Sequence, residues 1–181
     1  PLQQSEVVEL NEHTPSSAID GLLAPLLAGR DAMLVSEAGA PAVADPGAQL
    51  VRAAHASGIL VEPLIGPSAL LLALMGSGLE GQRFSFQGYL PVPAAERRTR
   101  IQALERRSRQ ERETVLFIET PYRNAAMIGS LLETLSPATL LCIAAGLTGP
   151  APVLATRAVG EWRKGPPDPG RQPTVYLLQA L

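Results

Sequence analysis

Cysteine is almost absent. Cys142 is the only one in 181 residues, so no disulfide can form within the chain and a reducing, cytoplasmic setting is expected. It sits in an apolar, strand-like run and reads as a packed core thiol. Lysine is as scarce, with Lys164 alone beside fourteen arginines, a bias that coding preference explains as well as chemistry does. No apolar run comes near the roughly 20 residues of a membrane span; the longest lies around residues 70–75. No basic-then-apolar leader opens the sequence, so secretion is not expected. His13 and His55 are far apart and lack thiol or acidic partners at useful spacing, which argues against a metal site. A G-x-S-x-G elbow and a P-loop lysine are missing too. A net charge of −2 argues neither for nor against a nucleic-acid partner.

What is present is globular in composition, 46% hydrophobic and 18% charged, and long enough for one medium domain or two small ones. Residues 7–10 read as a short strand. Thr14 or Ser16 can cap a following helix that carries Ile19, Leu22, Leu23, Leu26 and Leu27 at helical spacing. Pro25 should kink or shorten that helix, and Gly29 ends it. An apolar strand at residues 32–36 then breaks into the small-residue loop E-A-G-A-P-A-V-A-D-P-G (37–47). Asp45-Pro46 reads as an N-cap and first helical residue, and that helix runs to Gly58. A strand at 59–64 and the turn Gly66-Pro67-Ser68 lead into a helix over 69–75. The order β-α-β-α-β-α predicts a parallel sheet.

Gly76-Ser77-Gly78 marks a composition break, so a boundary is expected around residues 79–82, giving domains of 1–79 and 80–181. The second half reads as strand 84–88, charged helix 94–112, strand 114–119, helix to Leu135, strand 140–145, a weak strand at 153–155, a helical turn at Glu161-Trp162 and a closing strand 174–178. That irregular alternation predicts a mixed α/β domain.

Several stretches carry chemistry, each beside a plainer reading. The 37–47 loop has nothing larger than a methyl at Ala38, Gly39, Ala40, Ala42 and Ala44, so a ligand could lie on its backbone. Asp45 alone would be a helix cap. Gly66-Pro67-Ser68-Ala69 is a turn, or a pocket where Ser68 and free helix N–H groups meet a polar ligand. Glu119 and Arg123 flank a strand-to-helix turn, as an exposed pair or as site residues. His13, beside Glu12 at a strand end, is a weaker site candidate, and His55 an ordinary helix residue. Residues 97–112 hold seven arginines, a solvated face laced with ion pairs or a surface for RNA phosphates. No aromatic interleaves with them, which argues against base stacking there.

Taken in order and spacing, N-E-H-T (11–14), L-V-S-E-A-G-A-P-A-V-A-D-P-G (34–47), G-P-S-A (66–69), G-Y-L-P (88–91) and E-T-P-Y-R (119–123) resemble the tetrapyrrole methylase family of S-adenosylmethionine (SAM)-dependent methyltransferases. The nearest branch in appearance is the bacterial ribosomal RNA small-subunit ribose 2′-O-methyltransferases. The resemblance implies two α/β domains, a parallel-sheet N-terminal one and a mixed-sheet C-terminal one, with SAM between them in a homodimer. It implies cofactor contacts from Glu37, Ala38, Gly39, Pro41, Val43, Asp45, Ser68, Ala69, Gly88, Tyr89, Pro121 and Tyr122. For methyl transfer to an RNA ribose hydroxyl, Glu37 or Glu119 is expected as general base, with Arg123 orienting an anionic substrate.

The chain departs from the family pattern in two places. Glu37 replaces the usual aspartate, and Thr120 and Tyr122 replace Ser and His, so the RNA substrate does not follow automatically. The family also opens with a strand and a Pro-x-Gly-Asn or Gly-x-Gly loop against the cofactor. Pro1-Leu2-Gln3-Gln4 lies past that point, so the first strand and helix are expected to be missing. Three alternatives stand: methylation of a tetrapyrrole or other small acceptor, a non-catalytic SAM-binding or dimeric module, and an unrelated nucleotide-binding domain.

Overall fold

The computed structural model describes residues 6–181; Pro1-Leu2-Gln3-Gln4, on which the expectation about the opening loop rests, lies outside them. Contacts divide the chain between Ser68 and Ala69 into two compact units, taken separately here.

The first unit holds helices α1 (Ile19–Leu27) and α2 (Ala48–Ala56). They meet through Ile19, Leu23 and Ala54, with Leu10, Leu22, Leu26, Leu50, Ile59 and Val61 packed around them. Pro25 sits inside α1, and Gly29 follows its end at φ +81°. The expected capping is corrected twice. Thr14 does not cap α1; its hydroxyl takes the Asn11 N–H in a local turn. Asp45 does not cap α2, which starts at Ala48 with Gly47 at the cap position. The intervening chain is consumed by turns, with the Ala42 N–H donating to Pro46 O and the Val43 N–H to Ala40 O.

The expected strands at 7–10, 32–36 and 59–64 are corrected as well: none forms a ladder among the described residues. Their side-chain pattern is nonetheless strand-like, since Ile59 and Val61 turn to the helices while Leu60 is 87% exposed. A parallel strand needs a neighbour to take its backbone bonds. Without one, Met33, Val35, Leu60 and Leu64 stand in solvent.

The second unit is built on one five-stranded sheet of order β1-β2-β5-β3-β4. Its strands are β1 (Phe84–Tyr89), β2 (Thr114–Glu119), β3 (Leu140–Ala145), β4 (Val153–Ala158) and β5 (Thr174–Gln179). β1 and β2 are parallel, joined over helix α4 (Ala94–Glu111); the other pairs are antiparallel. The middle strands T-V-L-F-I-E and T-V-Y-L-L-Q are buried almost throughout, the continuous apolar pattern of strands covered on both faces.

One face packs on α4, α5 (Asn124–Thr134) and α6 (Val159–Trp162), through Ile101, Leu104, Phe117, Met127, Leu131 and Tyr176 among others. α4 is strongly polar, yet residues 97, 101, 104 and 108 form one buried stripe. That spacing suffices to seat it. The other face packs on α3 (Ala69–Ser77), whose Ala73 and Leu74 meet Leu116, Cys142, Ala144, Val175 and Leu177. α3 therefore groups with the sheet. Cys142 is the core thiol expected, and burial pushes its pKa up.

Phe117 and Tyr176 face one another across β2 and β5, with ring centroids 5.5 Å apart and planes 12° from parallel. Replacing Phe117 by alanine is expected to cost about 3–5 kcal/mol in urea unfolding. Phe117→Leu should cost under about 2 kcal/mol, because it keeps most of the volume.

Candidate functional site

In the first unit the 37–47 loop is largely exposed, Glu37, Ala38, Gly39, Val43 and Asp45 all facing solvent and Pro41 partly covered. The loop starts on a Ser36 turn, where the hydroxyl donates to Ala38 O and takes the Ala38 N–H. Ala42 and Ala44 are left-handed, at φ 62° and 56°, each costing about 1–2 kcal/mol relative to ordinary backbone. Gly47 holds φ +133°, which strains any other residue, and an added Cβ would lie 2.6 Å from Leu34 Cδ2, which would have to shift. A cavity of about 360 Å³ lies against this loop, lined by Asn11, Glu12, Thr14 and residues 44–49. The N-E-H-T and A-D-P-G motifs are thus brought together. His13 is not part of that lining; its ring is exposed beside Glu12.

In the second unit G-Y-L-P (88–91) and E-T-P-Y-R (119–123) gather where β1 and β2 end side by side, Tyr89 being registered with Ile118. The carboxyl ends of parallel strands are where open α/β sheets take ligands. Gly88, at φ +65°, sits in a register shift between Phe86 and Tyr89, which re-aims the strand end. Tyr89 and Tyr122 project into solvent, 58% and 83% exposed.

Glu119 is not the exposed residue of a plain turn. It is 3% exposed, and its Oε1 accepts the Thr120 N–H at 2.8 Å. Arg123 Nη2 lies 2.9 Å from Oε2 but off the hydrogen-bond direction, so Oε2 has a counter-charge and no directed donor. The same guanidinium donates to Leu90 O and Pro91 O. Buried Arg97 reaches that turn from α4, donating to Val92 O at 2.7 Å and to Ser130 Oγ at 2.9 Å. Arg123 therefore ties the residues after Gly88-Tyr89 to the E-T-P-Y-R turn, and Arg97 ties them to Ser130 of α5.

Elsewhere on α4 the arginines follow the ion-pair reading only in part. Arg98 pairs with Glu133, Arg107 with Glu113, and Arg100 donates to Gln87.

A second cavity of about 330 Å³ was not anticipated. It is lined by Ala69, Ala144, residues 146–149, Pro173 and Val175, and of these only Ala69 is among the expected site residues. The signal was present: A-A-G-L-T-G-P (144–150) follows a buried strand with the same small, glycine-bearing composition as 37–47. Gly146 is left-handed, and an added Cβ there would collide with the Gln172 side chain. Ser68 is half-buried at the end of the first unit. No cluster of His, Cys, Asp and Glu fit for a metal occurs among the described residues.

No protein-family model matches the chain. It is 37% identical over 142 residues to a Xylella fastidiosa protein named ribosomal RNA small subunit methyltransferase I, a match covering 78% of this chain and 50% of that protein. A Pseudomonas aeruginosa protein of the same name is 39% identical over 133 residues, covering 74% and 43%. The chain thus spans about half the length of the curated relatives it matches. Among solved structures, the methyltransferase CobJ aligns with a TM-score of 0.60 at 21% identity, over 91% of this chain and 71% of CobJ. A uroporphyrin-III C-methyltransferase from Thermus thermophilus, solved with S-adenosylhomocysteine, aligns at 0.53 and 19%, over 97% and 77%. At such identities the likeness shows the fold.

The buried site network carries a pH signature. Burial, reinforced by the nearby Glu119 charge, raises the Tyr176 phenol far above its ordinary pKa. Folded Tyr176 stays protonated where the unfolded chain ionises, so its stabilisation is complete below about pH 10 and declines above it. Cys142 acts with the same sign. In Tyr176→Phe the decline measured by denaturation above pH 10 should be shallower than wild type by about 1.4 kcal/mol per pH unit.

Proposed function

We propose that the chain belongs to the tetrapyrrole methylase family and serves SAM-dependent methyl transfer to a ribose 2′-hydroxyl of small-subunit ribosomal RNA. The observation that carries this reading is the 37–39% identity to proteins named for that RNA. Two open hollows of about 330 and 360 Å³ lie against the small-residue loops, within the size range of ligand sites.

SAM supplies an activated methyl on sulfur, and displacement in line needs no metal. What the protein adds is alignment, exclusion of water and a proton acceptor. Glu37 and Glu119 are the two carboxylates proposed for that proton. Their surroundings favour Glu37, which is exposed on the loop, whereas Glu119 is held by Thr120 and Arg123. Glu119 and Arg123 then act by fixing the turn that carries Pro121 and Tyr122. Glu37, Ala38, Gly39, Pro41, Val43, Asp45, Ser68, Ala69, Gly88, Tyr89, Pro121 and Tyr122 remain the proposed cofactor contacts. Residues 1–79 form the proposed cofactor-side domain, its last helix α3 packed on the sheet, and 80–181 its partner, in a cytoplasmic homodimer whose mass sedimentation velocity would report.

Uptake of S-adenosylhomocysteine by calorimetry, with transfer of labelled methyl to small ribosomal subunits, tests the reading. Binding with transfer to RNA is expected. Transfer only to a tetrapyrrole would favour the small-acceptor alternative, and no heat at millimolar ligand would favour a non-catalytic module. Glu37→Gln should lower turnover about 100-fold or more; full turnover in both Glu37→Gln and Glu119→Gln would remove the base assignment.

A further inference from the structure

Asn124 is the first residue of α5, directly after the E-T-P-Y-R turn, and is 2% exposed. Nothing in helix formation asks for a buried asparagine there. Its carboxamide is used at both ends. Nδ2 donates to Gly170 O at 3.0 Å and to Gln172 O at 2.9 Å. Oδ1 accepts the hydroxyl of fully buried Tyr176 at 3.1 Å, which fixes which end of the amide faces the carbonyls.

The segment so held closes the loop G-P-P-D-P-G-R-Q-P (165–173). Four prolines in nine residues leave it few backbone donors of its own. Beyond Asn124 the contacts run straight to the second cavity. Pro173 lines it and accepts the Gly146 N–H at 3.3 Å, while the Gln172 side chain fills the space over Gly146. Gly146 O in turn accepts the Gly149 N–H at 2.9 Å. The cavity wall at 146–149 and the rim at 172–173 thus share one buried anchor.

We infer that Asn124 is a positioning residue for the cavity lined by Ala144, residues 146–149 and Pro173, setting its rim through the Gly170 and Gln172 carbonyls with Tyr176 as its orienting partner. Asn124 touches no ligand in this role; it acts through the loop. The role rests on the methyltransferase reading only for the identity of the ligand.

Asn124→Asp is the direct test. It keeps the acceptor for Tyr176 and the side-chain volume but loses both donations to the loop. Ile128→Val on the same helix is the control for general loosening of α5. Two measurements are made on the full chain: hydrogen exchange at the Gly146 and Gly149 amides, and calorimetric affinity for S-adenosylhomocysteine. Asn124→Asp should speed exchange at both amides and weaken the ligand about tenfold, the scale of one or two lost hydrogen bonds. Ile128→Val should leave both as in wild type. Unchanged exchange in Asn124→Asp, or equal effects in the two variants, would overturn the assignment. If the wild-type chain takes up no S-adenosylhomocysteine, the functional reading fails, and the exchange comparison alone decides the role of Asn124.

Discussion

The antiparallel register of β2 with β5 is the constraint on which the second unit depends. It sets Phe117 against Tyr176 and Glu119 against Thr174. A slip of one residue would turn every side chain of a strand to the opposite face. Tyr176 would then no longer reach Asn124, and Glu119 would lose its place beside Arg123. The stacked rings hold this register from within the core. Everything at the carboxyl end of β2 inherits its position from that pairing.

Two charged groups near the ends of β1 and β2 are handled by burial and pairing rather than by solvent. Arg97 and Glu119 are both nearly inaccessible, and such groups are tolerated only when their hydrogen bonds or counter-charges are supplied internally. Arg97 finds Ser130 and the carbonyl of Val92, while Glu119 finds Arg123 and the Thr120 backbone. Both arrangements converge on one turn. Buried polar groups thus define where the strand-end loops lie, which apolar packing alone does not specify.

The second unit was largely legible, because its strands are apolar runs of strand length and its helices show a usable stripe. β2 and β3 have the expected bounds, and α4 is found through Ile101 and Leu104. The first unit was legible in its helices and misleading in its strands. Residues 59–61 alternate as a strand does, but alternation describes side chains, and a ladder needs a neighbouring backbone. The Asp45-Pro46 start signal failed for a related reason. Left-handed Ala42 and Ala44 bend the loop so that α2 begins at Ala48, and alanine gives no local hint of that conformation.

By itself the sequence determined the element types of the second unit, the core thiol and the small-residue loops, since these follow from periodicity and side-chain size. Its ordered motifs also pointed to the family that the curated relatives support. Tertiary structure alone decided that Glu119 is buried, that α3 groups with the sheet and that Ala144 and residues 146–149 line a cavity. It also decided that Asn124 ties a distant loop to that cavity, across 46 and 48 positions of sequence. Pairings of that range depend on strand order and register, which no local pattern of residues encodes.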